Sequence, residues 1–231
     1  MVNLTSAPLN AYSWTWGAIA IYGFMVKSIA SYRRTRNPLA KIYAYVGLSF
    51  GTGLLFFGLP GFFTQNVHVL KDTYFLADLS VQISLQFAAW MLSFIGMKSF
   101  LKLKYMLAVT IPLSVVIMIL KITSSHVSIS HAQNLIVYTD QPILLILKSV
   151  IYILIAMPIA VLLIRQVPNQ ATLRAKFQSF IAGIIYAAVC IAAVSNNLFD
   201  KGSDTRDSSL SLIVVFTIFL LAQLPRPHLK H

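Results

Sequence analysis

The chain has 231 residues, of which 58% are hydrophobic and 10% charged, with a mean hydropathy of +0.77 and a formal net charge of +12. An ordinary soluble domain carries roughly a quarter charged residues, so a water-soluble fold is excluded, whereas helices of about 20 apolar residues satisfy their own backbone across a hydrocarbon core of about 30 Å. The expected fold class is therefore all-α, a single integral membrane bundle of seven transmembrane helices over residues 1–231, with no room for a soluble catalytic or nucleic-acid-binding module.

Met1 to Asn10 holds no basic residue ahead of the first apolar run, so a cleaved signal peptide is not expected. The first helix is predicted over Tyr12 to Tyr32, with Trp14 and Trp16 near one end. The second covers Ile42 to Phe63, where Gly47 with Gly51, and Ser49 with Gly53, form small-xxx-small spacings that serve either packing within one molecule or a dimer face. Leu59-Pro60-Gly61 should end or kink it, because proline removes a backbone donor. The third helix is predicted over Tyr74 to Met97 and the fourth over Tyr105 to Ile122. The fourth is short and relies on Lys104 and Lys121 snorkelling at its ends. Between helices four and five, His126 to Ser130 and Leu135 to Thr139 alternate as two strands of a β-hairpin do. Helices five to seven are placed at Pro142 to Ile164, Phe177 to Leu198 and Ser209 to Leu224, with Pro112 and Pro158 as further kink sites.

Charge sorts the connections into two sets. One holds Arg33, Arg34, Arg36, Lys41, Lys98, Lys102, Lys104, Arg165, Arg174, Lys176, Arg226 and Lys230, without a single acid. The other mixes signs: Lys71, Asp72, Asp140, Asp200, Lys201, Asp204, Arg206 and Asp207, with Asp78 and Lys121 at helix ends. The positive-inside bias puts the first set in the cytoplasm, hence the N-terminus outside, the C-terminus cytoplasmic, and the plasma membrane as the expected location. Net basicity is thus a topology signal rather than a mark of nucleic acid, and the same clusters suit contact with anionic lipid.

Candidate site residues follow from the cost of polar groups in hydrocarbon. Asp78, Gln82 and Gln86 recur at i, i+4 and i+8, a stripe about 12 Å long on helix three. Lys148 and Tyr152 on helix five, and Tyr186 and Asn196 on helix six, reach similar depth. Together they form an expected outward-facing ligand pocket, in which Asp78 and Lys148 recognise charge, Gln82, Gln86 and Asn196 supply hydrogen bonds and the tyrosines close the walls. The competing reading is that the stripe is hydrogen-bonding glue between helices. No glutamate occurs, all five histidines fall in loops or the tail, and no nucleophile with its base can be assembled inside the membrane, so no enzyme, cofactor or metal is expected. Cys190 lies in an apolar run and reads as a small buried hydrophobe.

A rhodopsin is not indicated, since Ser209 to Leu224 lacks a lysine, and neither is a G-protein-coupled receptor, since Ile95-Gly96-Met97-Lys98 stands where Asp-Arg-Tyr would be. The short first outer segment, the basic Tyr32-Arg33-Arg34-Thr35-Arg36-Asn37-Pro38 loop and the apolar second helix resemble the seven-helix membrane modules at the front of bacterial sensor kinases. The resemblance implies a sensory protein. With no kinase following helix seven, signalling would pass through a separate cytoplasmic or membrane partner. The alternatives are a facilitative transporter or channel and a structural or assembly subunit, all with membrane lipids as neighbours.

Overall fold

A computed structural model describes residues 7–95, 100–132, 134–170, 172–198 and 211–217. Six long helices and a hairpin follow in order: α1 (Leu9–Thr35), α2 (Pro38–Gly58), α3 (Val67–Ile95), α4 (Phe100–Ser124), β1 (His126–Ser130), β2 (Leu135–Thr139), α5 (Pro142–Arg165) and α6 (Leu173–Leu198). A seventh helical segment, α7, covers 211–217 within the predicted last helix, and the rest of that prediction lies outside the described residues. Four helical stretches are long and apolar enough to cross a membrane: Pro38–Phe62, Val67–Leu92, Lys104–Ser124 and Pro142–Arg165.

Local chemistry sets the boundaries. α1 stops at Arg36, which takes the left-handed conformation (φ 55°) and donates its N–H to Tyr32 O. Asn37 then caps α2, its Oδ1 accepting the Leu39 N–H at 2.9 Å, with Pro38 at the first helical position. Leu59-Pro60-Gly61 ends α2 as expected, the chain tightening into a 3-10 turn at Leu59–Phe62. Asn66 opens α3 by accepting the His68 N–H at 2.9 Å, seven residues before the predicted start. Pro112 and Pro158 lie inside α4 and α5, which continue past them.

The chain divides into two compact units, residues 1–80, 129–136 and 204–231 in the first and 81–128 and 137–203 in the second. In the first, α1 and α2 form an antiparallel pair whose contacts keep one register. Gly58 abuts Thr15 and the Ala11 carbonyl, Gly51 the Tyr22 ring, and Gly47 Met25. The Tyr22 hydroxyl is 2.9 Å from Thr52 Oγ1, Trp14 packs on Phe57, and Phe24 meets Tyr43 edge-on. The small-residue stripe on α2 therefore packs within the molecule. α7 joins the same unit, Phe216 lying over Gly17 and the Trp16 indole N–H donating to Thr217 Oγ1 at 2.9 Å.

The hairpin tip belongs to this unit too. Asn10 is 1% exposed and its amide pairs with the Ile136 backbone in both directions, Nδ2 donating to Ile136 O at 2.7 Å and Oδ1 accepting Ile136 N–H at 3.1 Å. Leu9 N–H donates to Asn134 O, and Asn134 Nδ2 donates to Ala7 O. Asn134 itself sits at φ 51°, a left-handed turn position that asparagine tolerates.

In the second unit α5 and α6 pack antiparallel. Gly183 fits against Ile164 and the Ala160 carbonyl, and the Asn197 amide donates to Ser149 Oγ at 3.2 Å. Cys190 is buried.

Candidate functional site

The second unit concentrates its buried polar side chains in two places. The first lies between α3 and α4 and uses two of the candidate residues. Thr110 Oγ1 donates to Gln86 Oε1 at 2.8 Å, Gln86 Nε2 donates to Ser114 Oγ at 3.0 Å, and Ser114 Oγ donates to Gln82 Oε1 at 2.9 Å. The donors and acceptors form a directed chain, with Gln86 Nε2 also 3.4 Å from the Thr110 carbonyl. Gln82 and Gln86 fall on the α4-facing side of α3 because they are one turn apart. Thr110 and Ser114 repeat that spacing on α4. Such an arrangement fixes the rotation of one helix against the other.

The second lies where α4 and α5 meet the base of the hairpin. Asp140, 5% exposed, follows β2 and takes Lys148 Nζ on Oδ2 at 2.5 Å and Ser125 Oγ on Oδ1 at 2.5 Å. Lys121, 1% exposed, places its Nζ 3.8 Å from Oδ1. Burial pushes the Asp140 pKa up, but the charges of Lys148 and Lys121 and the hydrogen bonds from Lys148 and Ser125 outweigh it and hold the carboxyl at about 2. The snorkelling expected of Lys121 is thereby corrected. Its ammonium turns inward to a carboxylate, because a buried charge needs a partner more than the helix end needs a surface anchor.

The remaining candidates are placed as follows. Asp78 is buried on α3 in the first unit, while Tyr152 on α5 and Tyr186 on α6 are half-buried in the second. The Asn196 side chain lies outside the described residues, and its neighbour Asn197 makes the bond to Ser149. Asp140, Lys121 and Ser125 were absent from the expected site. The charge pattern places Asp140 with the loop charges and Lys121 with the helix ends. The available signal was Lys148 on a helix that offers no acid of its own, with Asp140 just before that helix begins.

Among the described residues no group of three or more His, Cys, Asp or Glu is placed to hold a metal ion. No protein-family model, curated protein or solved structure matches the chain.

Proposed function

We propose that this is a multi-pass membrane protein of sensory or receptor type, with seven spans, its N-terminus outside and its C-terminus in the cytoplasm. It binds a small molecule or lipid group through buried polar residues of the second unit and signals to a partner protein at its basic cytoplasmic face. One observation carries the reading: Asp140 held by Lys148, Lys121 and Ser125 in a buried position. Desolvating such a group costs several kcal/mol per ion even when paired, and well-packed apolar residues generally serve stability as well or better. Charges kept at that cost inside a membrane protein point to use. A ligand bearing a carboxylate or phosphate can take the place of Asp140 on the lysines. That exchange releases the Ser125–Asp140 bond at the base of the hairpin and gives the ligand-bound state a different arrangement of α4 and α5.

A second reading, a structural or assembly subunit, is favoured by the Gln82–Ser114 and Gln86–Thr110 bonds, which serve helix packing without any ligand. Facilitated transport has less support, since α3 beyond Gln86 offers only Ser93 as a polar residue toward the inner face.

The discriminating experiment is thermal unfolding of the detergent-purified chain against a library of small anions and lipids, beside Lys148→Gln. A ligand at 100 times its Kd adds about 2.7 kcal/mol to the native state. The receptor reading expects a compound that raises the melting temperature of the wild type and not of the variant. If no compound does so and Lys148→Gln only lowers the melting temperature, the structural reading replaces it.

A further inference from the structure

The basic end of the α1–α2 pair carries two kinds of cation. Arg36 lies 5.9 Å from the centre of the Tyr32 ring and Lys41 6.0 Å from it, with Lys41 also 5.8 Å from the Tyr45 ring. These two are held against aromatic faces. Arg33 and Arg34 are exposed, and with Val26, Ile29 and Ala30 as its apolar floor they line an open groove along α1. The five positions recur at i, i+3, i+4, i+7 and i+8, so they share one face of α1. Val26 is 59% exposed on that face. The first acid in the chain is Asp72, so neither α1 nor α2 supplies a carboxylate to the two guanidiniums.

α1 lies alongside α2, with Met25 against Gly47, and α2 is long and apolar enough to span; in a bilayer crossed by α2 this face of α1 would run from the depth of acyl chains to the level of phosphates. Val26 to Arg34 measures about 12 Å along the helix axis, which suits a lipid headgroup and the upper part of its tail. We propose that the Val26–Arg34 face of α1 binds an anionic phospholipid, its phosphate on Arg33 and Arg34 and one acyl chain along Val26, Ile29 and Ala30. Adjacent planar guanidiniums match phosphate oxygens by paired hydrogen bonds, which lysine ammonium groups do not reproduce. The apolar floor selects a lipid over a free phosphate, and the lack of any acid in α1 and α2 selects an anionic headgroup over a zwitterionic one. The site does not depend on what the Asp140 cluster recognises.

The test is reconstitution of the full chain into phosphatidylcholine membranes containing a minor fraction of phosphatidylglycerol, extraction into neutral detergent, and mass spectrometry of the lipid retained. Wild type should retain phosphatidylglycerol in preference to phosphatidylcholine. Arg33→Gln/Arg34→Gln should reduce that retention by more than about tenfold, and Ala30→Trp, which fills the floor and leaves both charges, should reduce it as well. Arg36→Gln should leave it within about twofold, and melting temperatures confirm that each variant is folded. Equal retention by wild type and the double variant would overturn the proposal, as would unchanged retention in Ala30→Trp. Displacement of the lipid by excess glycerol phosphate, which has the headgroup and no tail, would also overturn it and mark a simple anion site.

Discussion

At Asp140 the balance between desolvation and attraction is decided by two lysines and a hydroxyl rather than by solvent. Removing the charge strands both ammonium groups, so Asp140→Asn is expected to cost about 3–5 kcal/mol, read as a fall in the thermal midpoint in detergent. Adding Lys148→Met should recover part of that loss, since coupled partners do not add. The sign of the pH effect follows from the direction of the shift. A carboxyl held at about 2 when folded and near 3.9 when unfolded contributes its full stabilisation above about pH 4 and loses it as pH falls through about 2. On the order of 2 kcal/mol is at stake. Unfolding measured across that window should show the loss in the wild type and not in Asp140→Asn; identical curves would mean that the carboxylate is not paired in solution.

Pairs of helices in this chain approach at glycines, and the tightness differs by position. A Cβ on Gly58 would fall 2.5 Å from Thr15 Oγ1 and 2.7 Å from the Thr15 backbone nitrogen, whereas one on Gly51 would meet only the edge of the Tyr22 ring at 3.1 Å. A ring can turn and a backbone cannot. Gly58→Ala should therefore destabilise by about 1–3 kcal/mol and Gly51→Ala by clearly less, a comparison of two melting curves. Hydropathy located the helices well because it follows the apolar stretch itself. It fell short at their ends, where polar turns continue the helix beyond the apolar stretch: α3 begins at Val67 and includes His68, Lys71 and Asp72. The hairpin was legible because alternation carries both its strands and its turn. Gln82 and Gln86 were legible from their spacing, though the spacing left pocket and glue open. Asp140 was legible only through Lys148 on a helix without an acid of its own, because its own loop residues do not distinguish an acid in water from one drawn inward by lysines on two flanking helices.

For the molecule as a whole, the proposed orientation rests on the division of charge between the two sets of connections. Cys190 is buried, so in a Cys190→Ser background single cysteines at His131 and Thr35 report the two sides. A membrane-impermeant maleimide applied to intact cells should label His131→Cys at once and Thr35→Cys only after permeabilisation, and the reverse pattern would invert the topology. The Asn10 amide closed on the Ile136 backbone adds a constraint of parity. Asn10 and Ile136 both fall outside the predicted spans, so their contact puts them on one side of a bilayer, and a chain leaving a side returns to it only after an even number of crossings. Three helices between them, α2, α3 and α4, contain stretches long and apolar enough to cross. If those three cross, α1 must be the fourth, its Lys27 carried through with it, and a pair of hydrogen bonds then supports a passage predicted from the apolar run of Tyr12 to Tyr32 although α1 is less apolar than the helices that follow it.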